Sequence, residues 1–280
     1  MKSFFPYHII IIISLMTACK GSGKNENLKD TVAHSEQNHF TDSGNNIIKS
    51  EAPDASAKVA QGYALPRLDE KLSQSPINIL SDSTLTDTNQ QVSIKFGTDI
   101  TEIENLGHTI QLDFKAGNDF TVGGKTFTSR QFHFHTPSEH LIDGLTYPME
   151  VHIVNILKDS NTSKSPQYLV VAFLFKMGKE NPFLKEFLNV IPEEEHNSSL
   201  PAGKVNFGDL FSQISNKVIS GGYYSYKGSL TTPPYAESVT WIVNKYILEA
   251  SPEQIFTIEK LEGDNARHVQ ALHARKVLNH

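Results

Sequence analysis

The chain has 280 residues, 38% hydrophobic and 20% charged, proportions that exclude a collagen-like, coiled-coil or wholly disordered protein. Its 31 acidic side chains outnumber 25 basic ones for a formal charge of −6, which argues against a nucleic-acid binder that works through net charge. The one cysteine, Cys19, excludes an intramolecular disulfide.

In chain order, Met1–Cys19 carries Lys2, an apolar run through Ile9–Ile13, Leu15 and Met16, and then Thr17, Ala18 and Cys19. The run is shorter than the ~18 residues that span a bilayer and has the length of a signal-peptide core. Small residues directly before a cysteine resemble the lipobox of bacterial lipoproteins, although Met16 stands where Leu is usual. Residues 1–18 then read as a signal cleaved before Cys19, whose sulfur is lipidated and anchors the chain to a membrane. The alternative is an ordinary secretory signal with an incidental cysteine. The expected location is the bacterial cell envelope, facing the periplasm or the cell surface. Residues 19–60 are polar, with scattered apolar side chains of no period, and cannot offset the entropy of ordering. They read as a flexible tether; about 40 such residues span about 35 Å. His34 and His39 within it read as solvated.

The folded part, 61–280, reads as mostly β. Short alternating or apolar runs predict strands over Val92–Phe96, Ile110–Phe114, Phe120–Val122, Arg130–His135, Glu150–Leu157, Tyr168–Phe175 and Glu237–Asn244. Gly123-Gly124 and Asp143-Gly144 are two-residue hairpin signals. Helical patterns cover Pro182–Ile191, Phe207–Ser215 and Pro252–Leu261, two of them opening on a proline suited to a first turn. About 220 residues of this kind suggest one α+β domain on a central sheet rather than two domains.

Chemistry concentrates in Arg130–His152. On a strand, His133 and His135 point to one face and Phe132 and Phe134 to the other. Such a pair alone is more often solvated than metal-binding, but His152 is a third. A hairpin symmetric about Asp143-Gly144 would set His152 opposite His135, with Pro137 and Pro148 interrupting the ladder. Three imidazoles with no fourth protein ligand in view describe a catalytic rather than a structural zinc site. Gln131 and Glu150 each lie two residues before a candidate ligand, where a side chain can take the imidazole's other N–H. Glu139 and His140 follow on the turn.

Seven blocks carry a family resemblance: Gln74–Ile79, Asn105–Thr109, Gln131–His135, Ser138–His140, Glu150–His152, Gly228–Pro234 and Glu237–Trp241. In content and order they resemble α-class carbonic anhydrases across about residues 61–280. The resemblance implies a single domain on a ten-stranded, mostly antiparallel twisted sheet, with Zn2+ held by His133, His135 and His152. It implies reversible hydration of carbon dioxide to bicarbonate and a proton through a zinc-bound hydroxide, with no nucleic-acid partner. Gln131, Glu150 and His140 would support the ligands. Thr231 would orient the nucleophile while donating its own proton to Glu139. Thr232 would lie near bicarbonate, Val154, Val170, Leu230 and Trp241 would form the apolar wall for carbon dioxide, and His108 would shuttle the proton.

Direct proton release from a group of pKa near 7 is limited to ~10²–10³ s⁻¹, so fast turnover needs such a shuttle. The chain departs from the family at its opening, which lacks the aromatic Trp-x-Tyr and leaves the family's cleft tyrosine without an assigned counterpart, Tyr63 being only a candidate, and at Leu106, where asparagine is common. A weakly catalytic binding or adhesion module with this fold is the alternative function. A β-sandwich or cupin metal protein would not carry Ser229-Leu-Thr-Thr-Pro-Pro234.

Overall fold

The computed structural model describes residues 72–88, 92–93, 99–115, 119–122, 124–158, 166–199, 205 and 222–280. The signal and tether readings, Cys19, Tyr63 and the helix expected over Phe207–Ser215 lie outside these residues. The strands in chain order are β1 Asn78–Ile79, β2 Leu85–Thr86, β3 Val92–Ser93, β4 Ile100–Asn105, β5 Ile110–Phe114, β6 Asp119–Val122, β7 Lys125–His135 and β8 Leu141–Ile142. They continue with β9 Met149–Leu157, β10 Tyr168–Met177, β11 Asn197–Ser199, β12 Tyr223–Gly228, β13 Val239–Asn244, β14 Leu248–Ala250 and β15 Leu278–Asn279. Two α-helices are described, α1 Pro182–Lys185 and α2 Pro252–Glu262. None of the described helices is long and apolar enough to cross a membrane.

Among the described residues thirteen strands join one sheet, ten of them along the path β11-β4-β5-β7-β9-β10-β13-β12-β15-β2, while β1 and β8 form a separate parallel pair. Most neighbours run antiparallel; β10–β13, β10–β14 and β15–β2 are parallel. The centre is the long ladder β7–β9–β10; β10 is almost continuously apolar because both of its faces are covered, whereas β7 mixes phenylalanines with polar side chains. On one face Phe132, Phe134, Leu169, Val171, Phe173 and Phe175 belong to the larger core. On the other, Val170, Ala172 and Leu174 pack with Val239, Trp241 and Tyr226.

Period-two alternation needs one correction along β7. Register shifts between Ser129 and Gln131, so Arg130 is an extra residue, a β-bulge. The bulge lets Phe127, Phe132 and Phe134 all face the larger core despite their uneven spacing. It leaves Gln131, His133 and His135 on the opposite face. At Gly228 the backbone passes so close to Ser75 that a Cβ would overlap its Oγ and crowd Trp241.

The expected helix over Pro182–Ile191 is shorter. After Glu186 the chain leaves helical geometry, Phe187 adopting φ −129°, and a 3-10 turn follows at Leu188–Val190. The Phe187 ring fills core space between Phe134 and Phe183 instead. The expected strand from Glu237 begins at Val239, because Glu237 Oε1 accepts from Ser73 N–H and Gln74 Nε2 and holds the N-terminal segment. Gly124 (φ +75°) does lie in a two-residue connection, with Val122 paired to Lys125. Helix α2 runs one residue beyond the expected Leu261; Ser251 and Gln254 form a capping box at its start and Gly263 (φ +70°) ends it.

The last residue of α2, Glu262, is 5% exposed and accepts from Ile110 N–H (3.2 Å) and Thr136 Oγ1 (3.0 Å). Burial pushes its carboxyl from 4.5 up to about 8. Between those values the unfolded chain has lost this proton while the folded chain keeps it, so stability falls as pH rises. Glu262→Gln retains an acceptor for Ile110 and removes the ionisable group. Urea midpoints taken between about pH 5 and about pH 9 should decline less steeply in this variant than in the parent; parallel declines would refute the assignment.

Candidate metal centre

The ladder β7–β9 brings the three histidines together, in a register different from the expected one. His133 lies opposite His152, and His135 lies opposite Glu150. The turn at Asp143-Gly144 does form: both residues have positive φ, and Ile142 bridges Leu145. However, Leu141 and Ile142 pair with Asn78 and Ile79 rather than extending β7, so this turn does not set the β7–β9 register. The displacement is two residues, an even number, which preserves the face. Ring centroids are 5.0 Å apart for His133–His135, 5.3 Å for His133–His152 and 4.5 Å for His135–His152. One nitrogen from each lies within 4.8 Å of the others.

Each ring's orientation has a cause. His133 Nδ1 is 2.8 Å from Gln131 Oε1, which presents Nε2 to the centre. His152 Nε2 is 2.8 Å from Glu150 Oε1, which presents Nδ1. His135 is 3% exposed, and neither of its ring nitrogens is hydrogen-bonded. Burial holds His133 well below the usual imidazole range and lowers His135 to about 4. Neutral imidazoles are the form that ligates a metal.

Glu150, wholly buried, supports more than His152. Its Oε1 also meets His140 Nδ1 at 2.7 Å, and its Oε2 accepts from the backbone N–H groups of Glu139 (2.9 Å) and His140 (2.8 Å). Burial works against ionising this carboxyl, but the attraction of His140 and His152 prevails and holds it well below the usual carboxylate range. His140, Glu150 and His152 also have metal-like spacing, yet His140 Nε2 is engaged by Tyr226 Oη at 2.7 Å. That group is a hydrogen-bond network, while the three-histidine cluster faces open donor capacity.

Glu139 is 2% exposed, and its Oε1 accepts from the Arg267 backbone N–H at 3.0 Å. Its Oε2 has no hydrogen-bond partner and lies 3.6 Å from His135 Nε2 and 3.8 Å from His152 Nδ1. The expected bond from the Thr231 hydroxyl is therefore not formed in this structure. Arg267 fixes one oxygen and turns the other toward the imidazoles. Thr231 is buried and Thr232 exposed at the mouth of the same loop.

Val170 and Trp241 are buried beside the cluster, with Val154 and Leu230 partly buried against them; the Trp241 ring lies 4.8 Å from His152. His108 is exposed on the turn between β4 and β5, its Nδ1 3.0 Å from the Leu106 carbonyl.

Two residues absent from the expectations brace the segments around the site. Arg267 spans three segments: besides Glu139, its guanidinium donates to Ser75 O (2.7 Å) and Gln74 Oε1 (3.0 Å) and lies 3.9 Å over the Tyr235 ring. The Asn265 side chain lies between the β4–β5 turn and the end of β7, donating to His108 O (2.8 Å) and accepting from Thr136 N–H (3.1 Å). Both sit in an irregular segment with no periodicity, more than 120 residues from their partners, as the separations of 128 and 129 for Glu139 and Thr136 show.

Three clustered imidazoles, two unbonded nitrogens on His135 and an unpartnered Glu139 oxygen fit a tri-histidine zinc site with a fourth position for a small ligand. Comparison with known proteins agrees. Residues 64–280 match the family model described as eukaryotic-type carbonic anhydrase. A carbonic anhydrase of Neisseria gonorrhoeae is 38% identical over 209 residues, covering 73% of this chain and 76% of that protein. The structure of an α-carbonic anhydrase from Thermovibrio ammonificans, with the inhibitor sulfanilamide, superposes with a TM-score of 0.67 at 39% identity, covering 74% of this chain and 87% of that one. Dioscorin DB3L of Dioscorea polystachya is 31% identical over 201 residues, 70% of this chain and 69% of its own.

Replacing Glu150 by Gln keeps the side chain's volume and removes the charge that faces His140 and His152. Zinc affinity, read by competition with a chelator, should fall about 10–100-fold. Unchanged affinity would show that Glu150 does not orient His152.

Proposed function

We propose that this chain, which belongs to the eukaryotic-type carbonic anhydrase family, interconverts carbon dioxide and bicarbonate at the His133–His135–His152 centre. The convergence of three imidazole nitrogens within 4.8 Å of one another on one sheet face carries the reading. When bound there, zinc supplies a Lewis acid that lowers the pKa of water from ~15.7 to about 7, the value known for carbonic anhydrase, so that a nucleophile exists at neutral pH.

The chain's own residues do the rest. His133 would hold the ion through Nε2 and His152 through Nδ1, as their hydrogen bonds dictate, and His135 would hold it through one of its two unbonded nitrogens. Gln131 and Glu150 keep the His133 and His152 rings in that tautomer. Ionised Glu139 is acceptor-only. With Oε1 held by Arg267, its Oε2 is the free acceptor for a hydroxyl proton, and Thr231 is the donor proposed to use it, orienting the attack.

Val154, Val170, Leu230 and Trp241 offer carbon dioxide a dry wall, which suits a substrate with no net charge. Thr232, which is exposed on the same loop as Thr231, is the residue proposed to meet the departing bicarbonate. Hydration consumes one water and one carbon dioxide and yields bicarbonate and one proton; His108 carries that proton to buffer, an imidazole having one nitrogen to accept it while the other is held as a donor. The likeness to dioscorin is what favours the second reading, a weakly catalytic binding module of the same fold.

The N-terminal sequence supports an exported enzyme held at the membrane through a lipid on Cys19. Purified protein should contain about one zinc per chain and hydrate carbon dioxide in stopped-flow assays, and His152→Ala should lose both. Unit zinc without hydration would favour the binding module. Cys19→Ser should move the protein from the membrane fraction to the soluble one, and unaltered fractionation would defeat the lipid anchor.

A further inference from the structure

We infer that Asn265 is the positioning residue for proton transfer through His108. The inference rests on the shuttle reading of His108 given above. A shuttle must hold a proton-accepting nitrogen at a fixed place while its side chain stays exposed to buffer. His108 is exposed, and its turn is secured from two sides. On one, Asn105 Oδ1 accepts from Gly107 N–H (2.9 Å), and the Asn105 amide donates to Pro192 O (2.9 Å). Leu106 N–H closes the turn on Thr109 O (3.0 Å).

On the other side Asn265 makes the connection to the metal centre. Its Nδ2 donates to His108 O (2.8 Å) and to Phe134 O (3.2 Å), the residue before His135. Its Oδ1 accepts from Thr136 N–H (3.1 Å), and its own N–H donates to Thr136 O (3.2 Å). One side chain thus spans the shuttle's backbone and the two peptide groups that flank a candidate ligand. The ring itself is oriented by Leu106: a carbonyl only accepts, so His108 Nδ1 carries the proton of that 3.0 Å bond. Nε2 is the open nitrogen, taking the proton released by hydration and passing it to a buffer base. The departure at Leu106 does not weaken this, because the backbone carbonyl does the work.

Asn265→Asp keeps the acceptor for Thr136 and removes both donated bonds. The zinc-loaded variant should retain one metal per chain and kcat/KM within about twofold of the parent. Its kcat in weak buffer should fall about fivefold, with recovery on adding imidazole, the pattern of a displaced proton carrier. In the same protein the Leu106 amide should exchange with deuterium faster than in the parent, a readout independent of turnover.

His108→Ala is the control and should show the larger buffer-dependent loss. If His108→Ala loses turnover while Asn265→Asp does not, Asn265 has no positioning role. If active parent and His108→Ala turn over alike in weak buffer, the shuttle reading falls and this inference with it. If the aspartate variant does not fold, Asn265→Ser, which keeps one donor, is measured by the same criteria and should show a smaller loss of the same kind; none at all would overturn the proposal.

Discussion

A carboxylate buried beyond the reach of water must find its hydrogen-bond donors within the protein, and Glu150 finds four. Two are backbone N–H groups, of Glu139 and His140, and two are the imidazoles of His140 and His152. One side chain on β9 thereby fixes the turn that carries Glu139, the tautomer of a candidate ligand, and the ring that reaches Tyr226. The interior raises the cost of leaving any of these groups unpaired, so the network holds as a unit. On β7, His133 obtains its support more locally, from Gln131 two residues away. The centre therefore depends on one long-range knot and one short-range contact.

Much of this was legible from sequence. The His-x-His spacing, the third histidine and the acceptors two residues upstream follow from strand geometry, since a period of two assigns faces without any knowledge of register. Register does not follow from turn chemistry: a hairpin symmetric about Asp143-Gly144 would set His152 opposite His135, whereas it faces His133. Face survived because the error was even. Strands Ile100–Asn105 and Tyr223–Gly228 escaped notice; the first mixes charged side chains into its alternation, and the second hides its pattern behind tyrosines. Asn265 and Arg267 were illegible for another reason. Their importance comes from what a loop is folded against, and no local pattern records a partner more than a hundred residues away.

The N-terminal part of the domain is held without a disulfide. The Gln74 amide donates to Glu237 and Tyr235 O, the Arg267 guanidinium donates to Gln74 and Ser75, and Ser75 Oγ meets Tyr226 and Ser229. A planar guanidinium that forks onto two acceptors and lies over an aromatic ring is a cross-link that lysine would not reproduce. It joins the segment before β1, the Thr231–Glu237 loop and the Glu139 carboxylate, so the clamp that fastens the chain also sets the edge of the chemistry.

The bulge at Arg130 acts as a reading-frame device. Upstream of it odd-numbered residues such as Phe127 address the interior; downstream of it even-numbered ones do, and the odd set is released to the cleft. Lengthening or shortening the strand by one residue on the C-terminal side of Arg130 would exchange the two sets, sending imidazoles into oil and phenyl rings into the cleft. Changes made in pairs would leave both addresses intact. Descendants of this sequence are therefore freer to drift in β7 by two residues than by one.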